Sequence, residues 1–269
     1  MPKISVIMGV YNIGDGSKAK IAIQSILDQS FKDFEFIICD DGSKDDTYNI
    51  IKEITKLDKR ILVIKNEKNM GLAYTLNHCL ENASGEFIAR MDDDDYSYRE
   101  RFEKQINFLE KNSDIDIVSS AIDIFNGERI THKQAIRCKY PKKEDFLWGS
   151  CFVHPATMFR KDKLIKVGGY RIAKETRRAE DYDLFMRMYA NGSKGYSFEE
   201  SLLRYYVNPI AMKKRKYKFR IDEVVVRFKG FKNMGILIQG LPYIVKPLLV
   251  GLMPNKLILK IQKNKYRGD

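Results

Sequence analysis

Over the first 110 positions, short apolar runs alternate with helical stripes. The run Ile4-Ser5-Val6-Ile7-Met8 predicts a buried strand over 3–10, followed by a polar loop at 12–17 and an amphipathic helix to about Gln29. Phe34-Glu35-Phe36-Ile37-Ile38-Cys39 predicts a second strand, which ends abruptly in Asp40-Asp41-Gly42-Ser43. Tyr48, Ile51 and Ile54 stand at helical spacing within 46–56, and 61–64 forms a third apolar run. A turn at 66–71, a helix over 72–82 and a strand over 86–91 complete the unit. Strands separated by helical crossovers predict a parallel α/β sheet.

Beyond this unit the pattern predicts a helix over 101–111, strand pieces at 115–120 and 156–159, and a helix over 180–190. From Tyr205 onward basic residues alternate with apolar ones. Met234–Met253 is largely apolar, but Gln239, Pro242, Lys246 and Pro247 interrupt it. That run is too broken for a single transmembrane helix and predicts an interfacial helix pair at headgroup level. A helical subdomain packed on the body is the competing reading.

Composition narrows the class. The chain has 269 residues, 44% of them hydrophobic, which is enough to build a real core and excludes a disordered chain or a small disulfide scaffold. Its four cysteines, Cys39, Cys79, Cys138 and Cys151, are widely spaced, as expected of reduced thiols. The N-terminal apolar run is too short for a signal peptide, so the body is expected to face the cytoplasm. The net charge of +12 is unevenly placed: residues 204–269 hold 16 of the 48 Lys+Arg but only 3 of the 36 Asp+Glu. The remaining 203 positions carry 32 basic and 33 acidic residues, a net of −1 against +13 in the tail. A neutral body with a basic, apolar tail points to an anionic membrane surface rather than to nucleic acid.

In parallel α/β sheets the ligand crevice lies outside the carboxyl ends of the strands. Asp40-Asp41 and Asp92–Asp95 both fall at such ends. Four consecutive aspartates repel one another, and a divalent cation is a natural partner, because Mg²⁺ and Mn²⁺ favour carboxylate oxygens and substrate phosphates. A solvated acidic turn, with Asp95 near the start of the following helix, is the other reading of the same residues. Asp-Gly-Ser alone is common turn chemistry. On neighbouring strands, the two clusters together favour a nucleotide-plus-metal site.

These stretches resemble the family 2 glycosyltransferases with the GT-A fold, especially bacterial enzymes of surface-polysaccharide assembly. The resemblance rests on 4–12, Ser25–Phe31, Phe36–Ser43, Ile88–Asp95 and Arg101–Gln105, then on Met158–Arg160, Gly168–Tyr170 and Glu180–Leu184. It covers about 3–205. It implies an α/β catalytic domain at 1–203, a Rossmann-like mixed sheet with mostly parallel strands. Its nucleotide-binding part would be 1–110 and its acceptor part 111–203, followed by a basic, apolar helical segment at 204–269.

The resemblance also implies the site. Val10 and Tyr11 would hold the nucleoside, with Tyr11 along the uracil face. Asp41 would accept the ring N–H, with Asp40 as the second candidate. Asn69 and Gly71 match a turn near the donor, or are an ordinary β-turn. Asp92-x-Asp94 matches the D-x-D motif: Asp94 as ligand of Mn²⁺ or Mg²⁺, Asp92 on the ribose or on the metal through water, and Asp93 beside the donor. Arg90 would neutralise the cluster or form a structural salt bridge. The implied reaction is inverting transfer of a hexosyl or N-acetylhexosaminyl unit from a nucleotide-sugar, UDP-linked, to a growing glycan or lipid-linked acceptor.

Such a transfer needs a carboxylate base. Glu180-Asp181 opens a helix of apolar periodicity, where the pair serves as N-terminal capping or as catalytic machinery. With the resemblance, Asp181 is the base and Glu180 a neighbour toward the acceptor. His154 reads as a satisfied structural histidine or, because its segment aligns with the acceptor side, as an acceptor contact. His78 reads as structural, His132 as part of a polar loop, and Trp148, the sole tryptophan, as core packing ahead of a place lining the acceptor cleft. Two rivals are weaker. A nucleotidyltransferase would need a Gly-Lys/Arg phosphate loop that Val10–Gly16 lacks, and a nucleic-acid-binding protein would spread its basic charge over a binding face.

Overall fold

The computed structural model describes residues 1–56, 58–207 and 217–252. The Lys213–Lys216 run and the basic residues after 252 lie outside the described residues.

The elements run β1 (Ile4–Val10), α1 (Ser17–Leu27), β2 (Phe34–Asp40), α2 (Thr47–Thr55), β3 (Ile61–Lys65), α3 (Leu72–Glu81), β4 (Phe87–Arg90), β5 (Tyr96–Ser97), α4 (Arg101–Lys111), β6 (Ile117–Phe125) and β7 (Ile130–Gln134). Two short 3₁₀ helices, Lys143–Trp148 and His154–Ala156, lead into β8 (Met158–Arg160), α5 (Lys161–Lys166), α6 (Glu180–Ala190), β9 (Gly195–Tyr206), α7 (Tyr217–Met234) and α8 (Leu237–Leu252). The strands form one sheet in the order β3-β2-β1-β4-β8-β6-β9-β5, with β7 paired to β6.

The first four strands of that order are mutually parallel. Their register aligns Val10 with Asp40 and Ile7 with Arg90, so the loops beginning at Tyr11, Asp41 and Met91 leave the same edge of the sheet. β1 is buried on both faces, as an interior parallel strand must be. Val6, Met8 and Val10 meet α1 and α4 on one side, and Ile7 joins α3 and α6 on the other, following the two-residue period of a strand.

Helix α6 is tied down at its first turn. The buried carboxylate of Asp183 accepts from Arg171 Nε (3.0 Å) and Arg187 Nε (2.7 Å), while Arg187 also donates to the carbonyls of Val167 and Gly169. Long-range pairs of this kind fix where Glu180 and Asp181 stand.

Four expectations change. β9 continues to Tyr206, so the expected boundary at 203/204 falls inside a strand. His132 lies on β7, because the chain after Gly127 turns back on β6 rather than wandering as a loop. Trp148 is 59% exposed, since it ends a 3₁₀ helix at the surface instead of entering the core. The tail forms a helix pair that also packs on the body: Val226, Phe231, Met234, Ile236 and Ile244 are buried in the same cluster as α6. Its apolar run is therefore divided between a buried face and a bare one.

Candidate active site

At the end of β2 the two aspartates take different tasks. Asp40 is fully buried; its Oδ1 accepts from the Ser43 amide (3.0 Å) and its Oδ2 lies 3.5 Å from Lys65 Nζ. Asp41 accepts from Asn66 Nδ2 (2.9 Å) and the amides of Met70 (2.8 Å) and Gly71 (2.9 Å). It thereby clamps the 66–71 turn against the Asp-Asp turn. Gly42 completes the clamp: its φ is +63°, and a Cβ there would stand 2.3 Å from the Lys68 carbonyl carbon.

These loops enclose a cleft of about 320 Å³ lined by Gly9, Val10, Tyr11, Asp41, Asn69, Gly71, Leu72, Thr75, Asp92 and Asp93. Of the residues expected at the donor, Val10, Tyr11, Asp41, Asn69, Asp92 and Asp93 meet in this one space, with Tyr11 41% exposed at its mouth. Asp40 does not line it, because its side chain turns inward to hold the turn. A hollow of about 610 Å³ near Ser84, Arg160 and Asp162 lies at the amino ends of the parallel strands, away from the carboxylates.

The acidic cluster sits around Arg90. This guanidinium is wholly buried and pairs through Nη2 with Asp92 Oδ1, while its Nε and Nη1 have no hydrogen-bond partner among the described residues. Burial opposes its charge, but Asp92, Tyr170 and Asp95 outweigh that and hold its pKa above the usual arginine value. Burial, with Asp94 and Asp92 alongside, pushes Asp93 up to about 7. Asp94, the exposed member, is raised to about 6 by desolvation and by Asp92, against the pull of Lys18. Asp95 does not cap α4: its Oδ1 accepts the Tyr206 amide (2.8 Å), a contact 111 residues distant in sequence.

Such crowded carboxylates suit a hard divalent cation, and the pair expected for it, Asp94 with Asp92, belongs to the cluster. Among the described residues no three His, Cys, Asp or Glu side chains are arranged as a metal cage. An ion held by one or two carboxylates together with substrate phosphates requires none.

The second carboxylate pair belongs to the same neighbourhood. Asp181 Oδ1 accepts the Tyr182 amide (2.7 Å), and Glu180 is raised to about 6 by burial and by Asp181. Just before them Arg178 adopts φ +66°, a backbone strain of the kind that gathers at functional sites. Tyr205, at the end of β9, links the two groups: burial and then the fields of Asp92, Asp95, Asp94 and Asp181 drive its hydroxyl pKa upward. Lys18, Tyr170 and Tyr205 carry no local signal of a site in the sequence; they are far apart in the chain, and only the fold brings them to the carboxylates. His154 lies within the core rather than on an acceptor-side surface. Its Nε2 is 2.8 Å from the Tyr170 hydroxyl, and burial with Arg90 nearby holds its pKa well below the usual histidine value. His78 Nδ1 is 2.8 Å from Asn66 Oδ1, next to the Asp41 clamp.

The profile of Glycosyl transferase family 2 matches residues 5–168. The chain belongs to this family. It is 36% identical, over 100% of its own length and 96% of the relative's, to a putative glycosyltransferase, EpsE, of Bacillus subtilis (strain 168). It is 30% identical to a UDP-Gal:α-D-GlcNAc-diphosphoundecaprenol β-1,3-galactosyltransferase of Escherichia coli, over 94% of this chain and 92% of that one. Among solved structures, S. aureus TarS 1–349 in complex with UDP-GlcNAc superposes with a TM-score of 0.71 at 20% identity, covering 91% of this chain and 73% of that one. The mannosyltransferase PcManGT of Pyrobaculum calidifontis, in complex with GDP-Man and Mn²⁺, gives 0.62 at 16%, covering 98% and 79%. The fold of this family 2 glycosyltransferase is GT-A, with a helical C-terminal part, and its carboxylates gather at the sheet edge where the α/β rule puts a ligand.

Proposed function

We propose that this glycosyltransferase transfers a hexosyl or N-acetylhexosaminyl unit from a UDP-sugar, with inversion, to a lipid-linked glycan of a bacterial surface polysaccharide, working at the cytoplasmic face of the membrane. The observation that carries the reading is the convergence of a nucleoside-sized cleft, the Asp92–Asp95 cluster and the Glu180-Asp181 pair on one edge of the sheet. Relatives named for UDP-Gal and UDP-Glc donors and diphosphoundecaprenol acceptors support the donor and acceptor classes.

In this reading Val10 and Tyr11 flank the base, Asp41 and the turn bearing Asn69 shape the other wall, and Asp92 and Asp93 face the ribose and diphosphate. Mn²⁺ or Mg²⁺, held by Asp94 and Asp92, would supply charge neutralisation for the departing diphosphate. Asp181 takes the proton of the acceptor hydroxyl as that oxygen forms its bond to C1. The C1–O bond to the β-phosphate breaks on the opposite face, and UDP leaves with the electron pair. Glu180 would lie toward the acceptor, and the Asp181 carboxylate beside it favours the protonated form of Glu180. Buried Arg90 holds Asp92 in place.

The test is a thermal-shift series with nucleotide-sugars, with and without Mn²⁺, since a ligand bound only by the folded state raises its apparent stability. UDP-sugars should raise Tm more with Mn²⁺ than without, and Asp94→Ala should erase the difference. A metal-independent shift equal in both proteins would remove Asp94 from the reading.

A further inference from the structure

Helix α8 turns Gly240, Ile244, Pro247 and Gly251 toward the body, while Ile238, Leu241, Val245, Leu249 and Leu252 are 47–85% exposed. Their spacings of three, four, four and three residues place those five on one stripe along the helix. No charged residue interrupts the stripe; Lys246 lies at its margin, with Nζ 4.8 Å from the ring of Trp148. Trp148 packs edge-on to Tyr243 of α8 at 4.9 Å. An exposed apolar stripe this continuous marks an interaction surface.

The hairpin decides what it meets. A Cβ on Gly251 would lie 2.9 Å from the Tyr217 ring and 3.3 Å from Arg220, so the last turn of α8 stands beside the first turn of α7. In the sequence, Lys213-Lys214-Arg215-Lys216 immediately precedes α7, and the basic stretch 256–267 comes after α8. Antiparallel packing thus sets Tyr217, which follows one basic run in the sequence, and Leu252, which precedes the other, at one end of the apolar stripe. Apolar surface beside concentrated positive charge complements acyl chains beneath anionic headgroups. The 16 described residues of α8 span about 24 Å, less than the hydrocarbon thickness. Among the described residues no helix is long and apolar enough to cross a membrane.

We propose that the exposed stripe of α8, with Trp148 at its margin, is the face on which this enzyme lies against an anionic bilayer. The stripe sinks to headgroup depth and Trp148 sits at the interface, where its amphipathic ring is suited. This rests on the reading of a membrane-held acceptor, and gives that reading a defined surface and lipid class.

Because Trp148 is the only tryptophan, its emission reports on this face alone. With the purified full chain, phosphatidylcholine vesicles containing phosphatidylglycerol should shift that emission to the blue, and brominated lipid should quench it. Pure phosphatidylcholine and high salt should weaken both effects. Leu241→Glu with Leu249→Glu should lower vesicle affinity on the order of tenfold or more, with unchanged circular dichroism and UDP-sugar thermal shift. No emission change on anionic vesicles, undiminished binding by the double variant, or a dimer that the double variant dissociates would each overturn the proposal. A protein that binds vesicles through the stripe but shows no UDP-sugar shift would instead overturn the functional reading and leave the surface standing.

Discussion

The guanidinium of Arg90, entirely enclosed at the end of β4, donates through Nη2 to the carboxylate of Asp92 at the rim of the cleft. One partner is dry and the other half-exposed, so the pair anchors a surface carboxylate to the core. Replacing Arg90 with Met removes a buried charge whose Nε and Nη1 lack hydrogen-bond partners among the described residues, and frees Asp92 to rehydrate. The stability loss should therefore be modest for a buried pair, about 1–3 kcal/mol in urea denaturation. The Mn²⁺-dependent UDP shift should suffer more, because Asp92 is then unheld. Unchanged UDP binding in Arg90→Met would show that Asp92 needs no anchor.

Glu180 gives a pH prediction whose sign is fixed. Its carboxyl titrates near 6 in the folded protein against 4.5 ordinarily, so the folded state holds the proton more tightly. Its contribution favours folding below about pH 4.5 and is lost as pH rises through 6. Glu180→Gln should thus gain stability relative to the parent between pH 4.5 and 7.5, by about 1–2 kcal/mol. Urea midpoints at those two pH values measure it; a relative gain at the acid end would contradict the assigned cause.

Gly42 is predicted to be intolerant. Gly42→Ala forces a side chain into φ +63° and against the Lys68 backbone. It should cost about 1–3 kcal/mol and weaken UDP binding together with stability, since the Asp41 clamp shapes the cleft. Crystallography or thermal shift showing an intact clamp and full binding would refute this.

His154 separates structure from acceptor chemistry. His154→Ala leaves a void between Tyr170 and Phe185 and an unpaired Tyr170 hydroxyl, and should cost about 2–4 kcal/mol. The UDP shift should survive. A variant of parental stability that had lost only acceptor turnover would restore His154 to the acceptor side.

The parallel half of the fold is legible because local pattern determines it. Strand β1 is a largely apolar run, and α6 spans Glu180–Ala190, as Leu184, Phe185 and Met188 predict. The acidic clusters are legible for the same reason, since a strand end is marked locally. What local pattern misses depends on distant partners. Asp95 looks like a helix cap and instead holds Tyr206. Trp148 looks like core and stands outside, because a 3₁₀ turn carries no periodic face. His154 has nothing nearby in sequence to announce Tyr170. In the tail, the run 234–253 reads as an interfacial helix pair or as a subdomain packed on the body, and local pattern does not divide it: Ile236 and Ile244 are buried in the cluster that includes α6, while Leu241 and Leu249 are exposed.

The central claim is tested most directly by turnover in Asp181→Asn, measured as sugar transferred from a radiolabelled UDP-sugar, with Mn²⁺, to undecaprenyl-diphosphate-linked acceptor. The substitution keeps the shape and removes the base. Turnover should fall by about 10²–10⁴-fold with the UDP thermal shift preserved. Transfer at the parental rate by Asp181→Asn would contradict it.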